Sequence, residues 1–303
     1  MADIIKIIDC DIVFLSYDEP NAEKNYTDLI SKIPWAKRVH GVKGSDSAHK
    51  ACANISDTEY FVTVDADNII NQDFLQVEID LQKLNLTPQH VFSWCGKIYV
   101  NNLMYGNGGL KLWTKTFVNN MKTHENAVST DEKGLVEFCF DEKYYQFNEN
   151  YSISYTNFTP YQAWRSGFRE GVKMSLDQGA KVVNINKVWW QNFDRLMIWC
   201  MVGADVENGL WTIYGAREGL YKTLCTDWNY VNVRDFDYLQ KLWNEEYESI
   251  QEINLLDKIK ETGSHLIEEL SIPIAENPLD KDQSIFFKKM YSNSPRVIRR
   301  ASA

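Results

Sequence analysis

Two carboxylates stand two residues apart at the end of an apolar run, Tyr60-Phe61-Val62-Thr63-Val64-Asp65-Ala66-Asp67-Asn68. Side chains alternate along an extended chain, so Asp65 and Asp67 are expected to point the same way. Two hard oxygen donors held together suit Mg²⁺ or Mn²⁺, ions that keep open positions for substrate phosphates. A cation on a diphosphate offsets the charge that develops as the diphosphate departs. The plainer alternative is a strand-ending turn, where Asp and Asn are common. Position favours the chemical reading, because open α/β sheets bind ligands beyond the carboxyl ends of their strands.

Other residues offer matching chemistry. Gly106, Gly108 and Gly109 permit close backbone approach, and their amides suit a sugar or diphosphate. Lys111 is expected at the start of a helix over 111–120, placed to neutralise phosphate; a plain loop is the alternative. Arg165 and Arg169 lie four apart in a predicted helix over 161–178 and so share a face. Their guanidinium forks match diphosphate oxygens, although Glu170 and Asp177 nearby also suit a salt-bridged surface helix. Asp205 and Glu207 occupy a mostly uncharged stretch between Trp199 and Trp211. Carboxylates are costly to bury there unless paired or functional, and transfer to a hydroxyl needs a general base. Asp205 ranks first for that role and Glu207 second, with Asp131 and Asp141 behind. The alternative is a capped turn partnered by Arg217 or Arg195. The five histidines, His40, His49, His90, His124 and His265, stand in no ligand pattern. Trp189, Trp190, Trp199 and Trp211 suit stacking on a sugar or base, or core packing.

The elements that must position these groups follow from periodicity. Ile4 to Ser16 reads as one buried strand broken only by Lys6, Asp9 and Asp11, ending in the loop Ser16-Tyr17-Asp18-Glu19-Pro20. Asn21 to Ile33 has helical spacing. Ala36 to Val42 reads as a strand, Ser45 to Ile55 as a capped helix, and Tyr60 to Val64 as a further strand. This alternation predicts an α/β parallel sheet wrapped by helices. Val91 to Val100 reads as strand, Val136 to Thr159 as β structure, Leu196 to Gly219 as partly helical, and Asp235 to Leu270 as helix.

Composition bounds the class. The 303 residues are 44% hydrophobic and 24% charged, which excludes a disordered or fibrous chain. No run of about 18 apolar residues predicts a membrane span. Six well-separated cysteines form no zinc pattern and read as reduced core thiols, the usage of a cytoplasmic protein. The net charge is −10, yet residues 281–303 carry six basic residues against one acidic one. A basic tail on an acidic body suits either a solvated terminus or a handle for a polyanion such as nucleic acid.

With these residues in view, the chain resembles nucleotide-sugar glycosyltransferases of the GT-A fold, the family-2-like group, over roughly residues 8–115. The resemblance implies that Ser16, Tyr17, Asp18 and Glu19 contact the base of the donor. It implies that Asp65-Ala66-Asp67 is the metal motif. It also implies that the segment from Lys43 to Lys50 opens a helix facing the nucleotide. In such enzymes the segment after the metal strand, here Gly108, Gly109 and Lys111, shapes the donor-sugar and acceptor site. The expected fold is a Rossmann-like mixed sheet flanked by helices. Residues 1–220 would form the GT-A catalytic domain, and 221–303 a helical extension with the basic tail. The implied reaction moves a sugar from a UDP-linked donor to an acceptor hydroxyl. The glycine loop from Tyr105 to Trp113 and the segment Gly203 to Trp211 are similar to tailed-phage glycosyltransferases, a group that includes enzymes arabinosylating hydroxymethylcytosine in DNA. Double-stranded modified DNA is therefore one implied acceptor; a glycan or protein is another, and a non-catalytic sugar-nucleotide-binding module is a further alternative. A nucleotidyltransferase fits less well, because it needs a glycine-rich, basic loop where Tyr17-Asp18-Glu19-Pro20 stands.

Overall fold

In a computed structural model of the chain, residues 4–106, 108–121 and 142–291 are described. They form two compact units: Thr156–Tyr291 make up the second, and the other described residues the first. The strands of the first unit, in chain order, are β1 (Ile4–Lys6), β2 (Asp11–Ser16), β3 (Lys37–His40), β4 (Tyr60–Asp65), β5 (Asn68–Ile70), β6 (Glu78–Asp80), β7 (Val91–Ile98), β8 (Met104–Tyr105), β9 (Leu110–Thr114) and β10 (Tyr144–Ser154). Its helices are α1 (Ala22–Lys32), α2 (Ser45–Ile55), α3 (Leu81–Leu84) and α4 (Lys115–Asn120).

The main sheet runs β3-β2-β4-β9-β7-β10-β5, with β8 against β7. The pairs β3–β2, β2–β4 and β7–β10 are parallel, whereas β9 and β5 pair antiparallel to their neighbours. Central strands of such a sheet are covered on both faces, so they read as unbroken apolar runs. Ile12, Val13 and Phe14 of β2 and Phe61, Val62 and Val64 of β4 are indeed fully buried. Helix α1 packs Leu29 onto this core, and α2 comes close through the small side chains of Ala48, Cys52 and Ala53. The fold is the expected one: a mixed, Rossmann-like α/β sheet flanked by helices, with a helical C-terminal region.

Two expectations about elements are corrected. Ile4 to Ser16 is not one strand: a 3₁₀ turn at Ile7–Asp9 separates β1, which pairs with β6, from β2. The charges in the apolar run mark the break, and the Asp11 carboxylate is drawn into hydrogen bonds from Ser56 and Lys37, both 3.0 Å. Nor does Lys111 begin a helix. It sits mid-strand in β9, paired with Thr63 of β4 and Ser93 of β7. Burial of Leu110 and Leu112 between those strands holds this segment extended. The helix starts only after Thr114, whose hydroxyl caps it by accepting from the Phe117 amide at 3.0 Å.

The second unit is mainly helical: α5 (Pro160–Met174), a short β11–β12 hairpin (Leu176–Asp177 and Ala180–Lys181), α6 (Trp190–Trp199), α7 (Gly209–Cys225), α8 (Phe236–Leu242), a π-helical turn at Trp243–Tyr247, α9 (Glu252–Leu270) and α10 (Lys281–Met290). Helices α5 and α7 meet backbone to backbone through glycines. A Cβ on Gly167 would overlap the Thr212 carbonyl, and one on Gly215 would overlap that of Trp164. Around this contact Trp164, Trp211, Trp243, Tyr214 and Tyr247 pack ring on ring. Arg217 is fully buried with no carboxylate partner among the described residues; its guanidinium donates to the carbonyls of Cys200, Ile259, Ala275 and Glu276 at 2.6–3.0 Å. It therefore binds three segments of the unit together through backbone oxygens. Burial pulls its pKa down to about 10.

Candidate active site

Adjacent parallel strands β2 and β4 end side by side, Leu15 opposite Asp65. The loop after β2 and the Asp65-Ala66-Asp67 segment therefore leave the sheet at the same edge. The Asp65 amide donates to the Gly109 carbonyl at 3.0 Å, which brings the glycine loop to the same place. After Asp65 the chain turns rather than continuing extended, and Asp67 lies within that turn. The Asp67 carboxylate accepts from the Asn68 side-chain Nδ2 at 2.6 Å and the Ser154 hydroxyl at 3.3 Å. The buried Ala66 has its carbonyl held by the Asn25 side chain at 2.8 Å. The turn thus replaces strand alternation as the device that positions both carboxylates.

Glu19 belongs to the same neighbourhood. Its carboxylate accepts from the Tyr17 amide at 2.8 Å. Its pKa is raised, first by burial and further by the negative charges of Asp65 and Asp18, against the pull of two backbone amides. Asp65 and Glu19 thus repel one another across the ends of neighbouring strands. Beside them, the Asn68 side-chain oxygen is buried without a hydrogen-bond partner. Gly109 leaves room for that amide: a Cβ there would overlap it. Carboxylates and an unsatisfied amide oxygen make an all-oxygen donor set, which fits Mg²⁺ or Mn²⁺. Among the described residues, no group of three or more His, Cys, Asp or Glu forms a cation cage. Mg²⁺ is usually held by one or two carboxylates with substrate phosphates completing its shell, so two suffice.

Lys111 donates to the Gly108 carbonyl at 2.6 Å and lies 5.6 Å from the Trp113 ring centroid. Gly108 has φ +81°, a conformation that favours glycine. Lys50, half-buried on α2, has no ion-pair partner among the described residues. His49, which carried no recognisable pattern in the sequence, stacks edge-on against Trp113 at 4.8 Å. Its Nδ1 faces the Ser45 carbonyl at 2.8 Å, so Nδ1 carries the proton and Nε2 the lone pair. Burial, then the Lys111 charge, depresses its pKa to about 4.

The remaining candidates divide. Ser16 is buried, and its hydroxyl is engaged by Arg38 and His40, both at 3.0 Å. Tyr17 and Asp18 are exposed. Arg165, Arg169, Asp205 and Glu207 all belong to the second unit. Arg165 and Arg169 do share a face, both resting on the Phe236 ring at 4.9 and 4.7 Å. Glu170 pairs with Lys173. Asp205 is partnered by neither Arg217 nor Arg195. Both its oxygens accept from Lys288, at 2.6 and 2.8 Å, and the two side chains are 11% and 10% exposed. Glu207 is exposed, and its carbonyl accepts from the Asn157 side chain at 2.7 Å. Of the tryptophans, Trp199 and Trp211 are core, while Trp189 and Trp190 are exposed. Asp131, Asp141 and His124 lie outside the described residues, as do Cys139, Arg296, Arg299 and Arg300. Sequence reasoning passed over Asn68, Asn25 and Ser154. Only Asn68 had a signal, its place directly after the carboxylate pair.

No protein-family model matches the chain, and no curated protein matches it. Among solved structures the chain is similar to a glycosyltransferase involved in the glycosylation of the major capsid of PBCV-1, at 12% identity and a TM-score of 0.28, over 48% of this chain and 93% of that one. It is also similar to the inositol-1-phosphate CTP transferase from T. maritima, at 11% identity and a TM-score of 0.28, over 47% of this chain and 68% of that one. Likeness this slight carries no weight for function, and the activities named are those of the two neighbours.

Proposed function

We propose that the first unit binds a nucleotide sugar, UDP-linked, together with Mn²⁺ or Mg²⁺, and that the protein transfers the sugar to an acceptor hydroxyl. The observation that carries this reading is the gathering of Asp65, Glu19 and the unsatisfied Asn68 oxygen where β2 and β4 end. Repelling carboxylates beside an unsatisfied oxygen call for a cation, Lys111 beside the glycine loop would supply positive charge for phosphates, and Lys50 is proposed as a further phosphate contact. Asp65 and Asp67 would hold the cation with Asn68 as a further oxygen. Bound there, it would offset charge on the departing diphosphate. The backbone of the half-buried Gly108 and the buried Gly109 would line the sugar or diphosphate, and Tyr17 and Asp18 the base. Of the two carboxylates considered as general base, Glu207 is the one we propose, since Lys288 occupies both oxygens of Asp205. Arg165 and Arg169 remain the proposed second grip on phosphate.

The test is donor hydrolysis across a panel of nucleotide sugars with Mn²⁺, repeated with hydroxymethylated and plain duplex DNA, glycans and protein as acceptors. Hydroxymethylcytosine is the acceptor we propose first. Asp67→Ala is expected to lower turnover on the order of a hundredfold or more while leaving the thermal midpoint unchanged. Full turnover by that variant in EDTA rejects the cation role. Donor binding by calorimetry with no turnover on any acceptor would instead assign a non-catalytic binding module.

A further inference from the structure

We propose that His40 selects the base of the donor, its Nε2–H donating to a keto oxygen of the uracil. Strands β3, β2 and β4 run parallel and end at one edge of the sheet. His40, the last residue of β3, stands opposite Ser16 of β2, and Leu15 of β2 stands opposite Asp65 of β4. Neighbouring strands are about 4.8 Å apart, so His40 lies two strands, roughly 10 Å, from Asp65. A nucleoside diphosphate with its phosphates at Asp65 spans that width and brings its base to the end of β3. This role rests on the donor site at Asp65 and adds to it a residue that discriminates one base from another.

The imidazole is held in one tautomer by a fixed guanidinium. Arg38 is forked onto Glu23 at 2.6 and 3.0 Å and lies 4.9 Å from the Tyr26 ring centroid. Its Nε donates to the Ser16 hydroxyl at 3.0 Å, and its Nη2 lies 3.5 Å from Nδ1 of His40. A guanidinium only donates, so Ser16 accepts from Arg38 and turns its own proton toward His40 Nδ1, 3.0 Å away. Nδ1 is thereby the accepting nitrogen, and in the neutral ring the proton sits on Nε2. His40 is exposed, and its Nε2 meets no hydrogen-bond partner among the described residues. Gly41, next in the chain, has φ +72°, and a Cβ on it would meet nothing within 4 Å, so the space beside the ring is open. Tyr17, one residue past Ser16, is 42% exposed and offers a ring face for stacking. Charge argues against phosphate at this end. Glu23 already neutralises Arg38, and the Glu19 carboxylate also acts on it. The neutral, planar part of the donor suits the place, with a keto oxygen toward Nε2–H. An amino group there, as on adenine, would set donor against donor.

The experiment is calorimetric titration of the full chain with UDP and with ADP, in Mn²⁺, for the wild type, His40→Phe and His40→Gln. The wild type is expected to bind UDP about tenfold or more tightly than ADP. His40→Phe keeps a ring but no donor, and should lose about tenfold in UDP affinity while ADP affinity holds. His40→Gln keeps an N–H donor and should preserve the UDP-to-ADP ratio within about threefold. The side chain is exposed, so the thermal midpoint should not move in either variant. A purely structural role would weaken both nucleotides alike. An unchanged UDP-to-ADP ratio in His40→Phe therefore overturns the role of His40 and leaves the donor site standing, as does a wild type that favours ADP. A wild type that binds neither nucleotide overturns the donor site, and the role of His40 with it.

Discussion

At the scale of the residue, the site edge is held by side chains that are themselves held. Asn68 touches Asp67, sits over Gly109 and leaves one oxygen unsatisfied. Gly109→Ala would push that amide aside. Donor affinity measured by calorimetry with Mn²⁺ should then fall about tenfold, the usual cost of disturbing an outer-shell partner. His49 makes a pH-dependent contribution whose sign is definite. Its folded pKa is near 4 against an ordinary 6.5, so the unfolded chain takes up a proton first as pH falls. The stability it confers is complete above pH 6.5 and is lost progressively toward pH 4, by about 3 kcal/mol at most. Urea unfolding across that window should slope less steeply for His49→Phe than for the parent. Equal slopes would mean that the imidazole is not kept neutral by its surroundings.

At the scale of the element, two helices depend on having almost no side chain between them. Gly167 and Gly171 of α5 face Thr212 and Ala216 of α7, and Gly215 and Gly219 face Trp164 and Phe168 in return. Backbone cannot yield as a flexible side chain does, so an added methyl must part the helices. Gly167→Ala is expected to cost about 2–3 kcal/mol in urea unfolding followed by tryptophan fluorescence. Trp164 and Trp211 lie in that core and report the change directly. Three of the ten tryptophans, Trp164, Trp211 and Trp243, form an aromatic layer that fills the space beside the glycine contact.

At the scale of the whole molecule, residues far apart in the chain settle one another's roles. Lys288 reaches back 83 positions to Asp205. Both side chains are nearly buried, so removing the lysine leaves an uncompensated carboxylate. Lys288→Ala should lose about 3–5 kcal/mol of stability by chemical denaturation, and adding Asp205→Leu to Lys288→Met should restore most of it. A double variant as unstable as the single one would show that the pair does more than neutralise itself.

What the amino-acid sequence determined alone is the local order of the first unit. The buried runs of β2 and β4, the span of α2 at Ser45–Ile55 and the delivery of Asp65 to a strand end follow from apolar patterning, which is read within a few residues, although the expected Ser/Asp cap of α2 does not form and Gly44 stands at its N-cap. The mixed α/β class followed from the same alternation. Tertiary structure decided the rest. Whether Lys111 lies in helix or strand depended on β4 and β7 closing around Leu110 and Leu112, partners about 20 and 50 residues away. Whether Asp205 is a candidate base or half of an ion pair depended on a lysine on the last described helix. Asn68 could declare itself only once Gly109 lay against it. Short-range periodicity encodes burial and backbone state; which charged group meets which, and which oxygen goes without a partner, is settled only when distant segments pack.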